Sequence, residues 1–233
     1  MTFNVSSLNF GALEDAPELL TSRQEWKKQR RGKFTASEFW KLMTNGKAKG
    51  EMGQVAKSHI AEKAVELLTD FDADDSDYVS VAMQWGLDHE ADAVQEIAVL
   101  KGFKPYMTGQ AQEFIESACG HYGCTPDGLI GDDSGLEIKC PNSATHMIYM
   151  DVTDAESLKA VESKYYWQVQ GSMLVTGRGN WWFASYDPRF SSDRLKLATA
   201  LIERNESDID ALKTRLDAAI KQRDRLVSIA LSQ

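Results

Sequence analysis

The residues best suited to chemistry in this chain lie in one stretch, Pro126-Asp127-Gly-Leu-Ile-Gly-Asp-Asp-Ser-Gly-Leu-Glu137-Ile138-Lys139. Nine residues with a central Gly/Asp turn separate Asp127 from Glu137. A strand on each side of that turn sets Asp127 near the start of one and Glu137 on its partner. Side chains alternate along a strand, so Glu137 and Lys139 share a face while Ile138 points to the core. Two carboxylates and a lysine therefore converge. Hard oxygen ligands of this kind suit Mg²⁺, which takes one or two protein carboxylates and keeps several waters. A metal held there lowers the pKa of a bound water and offsets charge developing on a phosphoryl oxygen. Lys139 would orient or deprotonate the attacking water, its own pKa lowered by the cations beside it. The bland alternative is a surface hairpin with an ordinary Glu–Lys pair. Pro-Asp, the spacing and the turn together weigh against it.

Other elements must hold such a hairpin. No internal repeat, low-complexity tract or Pro/Gly-rich linker divides the 233 residues. One domain over 1–233 is expected: an irregular arm over 1–22, a core over 23–190, and a strand plus C-terminal helix over 191–233. Thr35-Ala-Ser-Glu38 has the capping-box pattern and opens a helix through Phe39, Trp40, Leu42 and Met43. Gly46–Gly53 reads as a flexible loop. Apolar spacing predicts helices over about 54–69 (Ala56, Ile60, Ala64, Leu67) and 85–101 (Leu87, Ala91, Val94, Ile97, Ala98). Residues 111–117 and 121–124 read as extended, 128–130 and 136–140 as the hairpin strands, and Pro141 ends the second. A polar stretch then leads to a helix over 163–176, strands over 181–186 and 195–202, and an amphipathic helix over 207–230. Helices flanking a short mixed central sheet make the class α/β or α+β.

Two further residues join the candidate site. Glu90 lies on the apolar face of its predicted helix, where a carboxylate is costly unless paired or metal-associated. Gln168 sits on the helix Tyr165-Tyr-Trp-Gln-Val-Gln170, where a core-edge amide bonded to backbone is the plain alternative. His59, His89, His121 and His146 show no metal-ligand spacing and read as surface or core residues. Cys140, with no partner base apparent, reads as a small filler, and Trp181, Trp182, Phe183 and Tyr186 as sheet core.

Composition sets the outer limits. No run approaches the ~20 apolar residues of a spanning helix. The N-terminus lacks a basic region followed by an apolar one, which argues against secretion, and three cysteines without paired spacing fit free thiols in a reducing cytoplasm. The net charge of −9 argues against coating nucleic acid through diffuse positive charge. That total hides its parts. Between Arg23 and Lys49 nine basic residues face only Glu25 and Glu38, a local +7 that leaves −16 for the remainder. Asp70, Asp72, Asp74, Asp75 and Asp77 form the sharpest acidic cluster. Charge alone leaves open whether the basic window is a solvated face or an anion site.

Asp127 with its proline, followed at this spacing by Glu-Ile-Lys, is the PD-(D/E)xK nuclease signature. The chain resembles the family of phage lambda exonuclease and the YqaJ-type viral recombinases through RRGKFTASE, WGLDHEADA, CTPDGL, GLEIKCP, WQVQGSMLVTG and WWFASYDPR. These segments occur in family order over roughly 24–190; the first 20 or so residues and the C-terminal helix match weakly. The resemblance implies a PD-(D/E)xK, restriction-endonuclease-like core. It implies a Mg²⁺-dependent exonuclease that digests the 5′-ended strand of duplex DNA to mononucleotides and leaves 3′ single strand for phage recombination by annealing. It further implies a ring-shaped homotrimer in the bacterial cytoplasm, two Mg²⁺ per site with Mn²⁺ able to substitute, DNA ends as substrate, and a single-strand annealing protein as partner. Carried over by position, Asp127, Glu137 and the Ile138 carbonyl would ligate metal, Lys139 would be catalytic, Glu90 would act on metal through water, and Gln168 would position the nucleophile. Arg30, Ser37 and Thr125 would hold the 5′-phosphate; Thr125 stands where lambda has serine, with the hydroxyl kept. Ser37 falls in the first turn after the Thr35 cap, where amides and the helix dipole favour an anion, and Arg30 adds a bidentate donor. Lys47 would grip DNA and Met83 would be the wedge at the duplex end. An endonuclease on the same core, or a non-catalytic end-binding subunit, are the alternatives.

Overall fold

A computed structural model describes residues 26–48, 50–69 and 80–233. The arm expected over 1–22 and the Asp-rich cluster over 70–77 lie outside the described residues. After a helical turn over 26–30, the chain runs β1 (Phe34–Thr35), a 3₁₀ turn (Ala36–Glu38), α1 (Phe39–Leu42), α2 (Gln54–Leu68) and α3 (Val81–Lys101). Five short strands follow: β2 (Pro105–Tyr106), β3 (Ile115–Glu116), β4 (Tyr122–Cys124), β5 (Gly128–Ile130) and β6 (Ser134–Lys139). Then come α4 (Ser143–Tyr149), α5 (Ala155–Val161), α6 (Ser163–Thr176), β7 (Asn180–Tyr186), β8 (Leu197–Glu203) and α7 (Glu206–Leu231).

The central sheet has the order β2-β5-β6-β7-β8 and is mixed: β6 and β7 are parallel, every other pair antiparallel. A parallel pair needs a crossover connection, and α4, α5 and α6 supply it between β6 and β7. Two of these helices occupy the polar stretch read as a connection. Asn142 and Asp154 cap them, accepting from the amides of Thr145 and Ser157 at 2.9 and 2.8 Å. A second sheet, β1-β4-β3, is built from strands of two or three residues, too short for a period to register.

Alternation along β6 and β7 divides the apolar residues between two faces. Leu136, Ile138, Ala184 and Tyr186 pack with Ala93 and Ile97 of α3. Trp181 and Phe183 pack on the other side, in the larger cluster with Phe39, Tyr166, Val169, Met173, Leu212 and Leu216. Glu137 therefore faces α6 and not α3. The hairpin turn is pinned from behind: buried Arg178 donates to the carbonyls of Gly131 and Ser134 at 2.8 and 2.7 Å. Asp133 accepts from the Gly179 amide at 2.7 Å.

Several expectations are corrected. Thr35 makes no side-chain cap bond; its hydroxyl donates to the Glu38 carboxylate at 3.2 Å, and a 3₁₀ turn opens the element. With three 3₁₀ and four α residues, little helix dipole stands behind Ser37. The Gly46–Gly53 loop is tied as a hairpin by the Asn45–Met52 bridge. The helix expected from residue 85, α3, starts at Val81, where Ser80 accepts from the Met83 amide. Its buried residues are Ala93 and Ile97, while Leu87 is 63% exposed. β8 begins at Leu197, after a 3₁₀ turn over Asp193–Leu195. Cys119, Cys124 and Cys140 are free thiols. Among the described residues no helix is long and apolar enough to cross a membrane.

A side chain at Gly135 would meet the Trp181 ring at 2.3 Å, and Trp181 is fully buried with nowhere to move. Gly135→Ala should lower stability by about 1–3 kcal/mol, read as a drop in thermal midpoint. An unchanged midpoint would show that the hairpin is not seated against that ring.

Candidate active site

The hairpin and α6 bring the predicted residues together. The Ile138 amide donates to Asp127 Oδ2 at 2.6 Å, across the strand that carries Glu137 and Lys139. Lys139 Nζ donates to Glu137 Oε1 in a very short contact. Gln168 Nε2 donates to the same oxygen at 2.6 Å. Glu137 is 1% exposed, and among the described residues its buried Oε2 has no hydrogen-bond partner. Two donors on one oxygen and none on the other is an unusual arrangement for a buried carboxylate.

Glu90 reaches the site from α3. It sits on the face that carries Ala93 and Ile97, so it is half-buried as expected, though Leu87 is not on that face. Gln112 Nε2 donates to Glu90 Oε1 at 2.7 Å. Nothing in the sequence marks Gln112, because the contact spans the gap between α3 and an irregular segment. Tyr165 was equally unmarked; Lys139 Nζ lies 4.8 Å from its ring centroid. Tyr165 stands one helical turn before Gln168, so a helical period applied from Gln168 would have found it.

Crowded acids set the protonation of the site. Burial, reinforced by the charges of Asp127 and Glu90, pushes Glu137 up to about 8, against the pull of Lys139. Burial and the Asp127 charge push Glu90 up to about 7, opposed by the Gln112 hydrogen bond. Burial also raises Asp127, opposed by Lys139 and the Ile138 amide. The expected lowering of Lys139 depends on cations beside it; the protein's own groups act the other way. Burial works to lower it, but the carboxylates of Glu137 and Asp127 outweigh burial and raise it.

This donor set fits a hard divalent cation. Among the described residues no three His, Cys, Asp or Glu side chains gather closely enough to enclose a metal by themselves. Mg²⁺ needs only one or two carboxylates with waters completing its shell. The unpartnered Glu137 Oε2 and the mutually raised acids are what a cation would relieve.

A second cluster lies two residues before Asp127. Arg30 Nη1 donates to Thr125 Oγ1 at 3.2 Å, and the Arg30 guanidinium stacks 4.2 Å from the Trp26 ring centroid. Ser37 is half-buried, its hydroxyl 3.2 Å from that of Thr35. Arg30 and Thr125 are thus in direct contact, while Ser37 is held through Thr35. Lys47 is exposed in the bridged loop. Met83 is 57% exposed in the first turn of α3. Buried His146 contacts Ser185 Oγ at 2.7 Å and the Leu195 carbonyl at 2.9 Å.

The fold matches that of a solved alkaline exonuclease. The alkaline exonuclease LHK-Exo from Laribacter hongkongensis superposes with a TM-score of 0.74 at 28% identity, over 90% of this chain and 96% of that one. LHK-Exo in complex with dAMP gives a TM-score of 0.73 at 28% identity, over 89% and 95% of the two chains. A phage-related exonuclease from Haemophilus somnus 129PT shares the fold, with a TM-score of 0.68 at 20% identity over 85% of this chain and 96% of that one. The uncharacterized protein ExoD of Escherichia coli K12 is 36% identical over 70 residues, 30% of this chain and 78% of ExoD. Residues 25–179 match the YqaJ-like viral recombinase domain. The chain belongs to the YqaJ-like viral recombinase family.

The raised carboxylate has a consequence for stability. Folded Glu137 keeps its proton up to about pH 8, whereas the unfolded chain loses it near 4.5. The folded state holds the extra proton in that window, so stability without added metal should fall as pH rises from about 4.5 to 8. Mg²⁺ should restore more of the thermal midpoint at pH 8 than at pH 6, because the cation competes with the proton. Glu137→Gln should flatten both dependences. Equal Mg²⁺ effects at the two pH values would remove Glu137 from the metal site.

Proposed function

We propose that this protein is a Mg²⁺-dependent exonuclease that enters duplex DNA at a 5′-phosphorylated end and digests that strand to mononucleotides. The single observation that carries the reading is the buried Glu137, clamped on one oxygen by Lys139 and Gln168 and unpartnered on the other. Asp127, Glu137 and the Ile138 carbonyl would hold two Mg²⁺ ions, with Glu90 acting through water and Mn²⁺ able to substitute. The ions, when bound, supply activation of water and compensation of charge on the phosphoryl oxygens. Lys139 orients the attacking water and passes a proton at Nζ. Gln168 fixes the plane of the Glu137 carboxylate, and Tyr165 limits where the Lys139 ammonium can go.

The Arg30–Thr125 pair gives a reason for direction. A guanidinium and hydroxyl just upstream of Asp127 would seat a terminal phosphate and leave the next phosphodiester at the acidic pocket. Lys47 and Met83, both on exposed segments, would meet the backbone and the splayed end. As a ring-shaped homotrimer the protein would keep hold of DNA by closure rather than by net attraction, which suits a chain of charge −9. The 3′ strand left behind would pass to a single-strand annealing protein. LHK-Exo, crystallised in complex with dAMP, supports DNA as the class of substrate.

Linear 5′-phosphorylated duplex, 5′-hydroxyl duplex and closed circles, each incubated with Mg²⁺, test the reading. Mononucleotides should be released fastest from the first, more slowly from the second, and not from circles. Nicking of circles would point to an endonuclease, and no release from any substrate to an end-binding subunit. Lys139→Ala should lower release by at least about 10²-fold while end binding survives. Wild-type rates in that variant would remove Lys139 from catalysis. Arg30→Ala should abolish the preference for 5′-phosphate; an unchanged preference would refute that assignment.

A further inference from the structure

The C-terminal helix α7 matches the family weakly, yet it sends one charged side chain into the interior. Arg223 is 3% exposed. Its Nη1 donates to the Gly32 carbonyl at 2.5 Å, and its Nη2 lies 3.1 Å from His121 Nδ1. Arginine has no acceptor, so in this contact Nδ1 of His121 is the accepting nitrogen. Gly32 is two residues after Arg30, and His121 four before Thr125. One guanidinium therefore touches both chain segments that supply the phosphate-facing pair.

The same turn is gripped from the opposite side by α2. Glu66, 9% exposed, accepts from the Gly32 amide at 2.7 Å, and the Glu66 carbonyl accepts from Arg31 Nε at 2.5 Å. Buried Lys63 holds Glu66 at 2.8 Å and reaches Glu38 at 3.5 Å, in the turn that carries Ser37. Gly32 itself adopts φ +68, and a side chain there would meet Leu67 Cδ2 at 2.3 Å. Both backbone polar groups of Gly32 are thus held by buried charged side chains from helices more than thirty residues away. Apolar packing would stabilise such a turn at lower desolvation cost. Charged hydrogen bonds instead set its orientation.

We propose that Arg223 and Glu66 are positioning residues for the end-binding site. They hold the Arg30 turn against the Thr125 segment so that guanidinium and hydroxyl meet one phosphate. This rests on the reading of Arg30 and Thr125 given above, and it assigns the C-terminal helix a part in substrate selection. A phosphate contact depends steeply on placement, so loosening the turn should affect 5′-phosphorylated ends far more than 5′-hydroxyl ends.

The test compares kcat/KM on 5′-phosphorylated and 5′-hydroxyl linear duplex for the full chain, Arg30→Ala, Arg223→Met, Arg223→Lys and Glu66→Gln. The ratio of the two values should fall about tenfold in Arg223→Met, less in Arg223→Lys, which keeps the charge without the fork, and measurably in Glu66→Gln. A purely structural role would lower both values by the same factor and leave the ratio at wild type. Should Arg223→Met not fold, Arg223→Lys and the nearly isosteric Glu66→Gln carry the same comparison. A wild-type ratio that drops in Arg30→Ala but is untouched in every folded Arg223 and Glu66 variant would overturn this proposal alone. No dependence on 5′-phosphate in the wild type would overturn the site reading and this proposal with it.

Discussion

A carboxylate taken out of water needs donors around it, and Glu137 has them on one side only. Burying a charge without partners costs several kcal/mol, more than most single contacts return. Much of the surrounding architecture answers that demand. The parallel pairing of β6 with β7 encloses Glu137 opposite Phe183, and the crossover this pairing requires delivers α6, with Gln168, to the open face. Lys139 comes from the same strand, two residues on, by the pleat alone. What remains is Oε2, beside Asp127 and within the influence of Glu90. A fold optimised for stability would place an apolar residue here. Under the proposed function a divalent cation, the kind of ligand these donor atoms suit, would meet that demand.

The distribution of charge needs the same local treatment. In sequence the +7 window over 23–49 could be either a solvated face or an anion site. In the structure Lys33 pairs with Glu116 at 2.8 Å and Lys41 with Glu38 at 2.7 Å, while Arg31 is turned to the Glu66 carbonyl. Several of the basic residues are therefore engaged inside the fold, holding the turn in place. Arg30 has a hydroxyl and two aromatic rings among its neighbours, and two residues along the chain from that hydroxyl stands Asp127. A strongly cationic surface would attract DNA anywhere along its length. Under the proposed function, one placed guanidinium would select an end.

The elements that local chemistry specifies were legible. The Gly131-Asp-Asp turn with flanking apolar residues gives the β5–β6 hairpin, and α6, β7 and α7 follow their periods to within a few residues. Failures fall where partners are remote. On α3 the predicted stripe packs on the sheet at Val94 and Ile97, but its Leu87 and Ala91 are exposed and Ala93, outside the stripe, is buried instead. The capping box at Thr35 did not form, because Glu38 is drawn instead to Lys41 and Lys63. α4 and α5 are short and were lost among polar residues whose caps, Asn142 and Asp154, give no apolar period to follow.

By itself the sequence determined which residues could do chemistry: strand alternation puts Glu137 and Lys139 on one face, and the turn brings Asp127 across to them. Those are relations within fourteen consecutive residues, decided by backbone geometry. Only the tertiary structure decided that Glu137 would be buried with one oxygen unpartnered, that Gln112 would hold Glu90, and that Arg223 would reach the Arg30 turn. Each of these depends on which helix packs against which face. Burial and remote hydrogen bonds are set by the whole packed chain, so no local pattern encodes them.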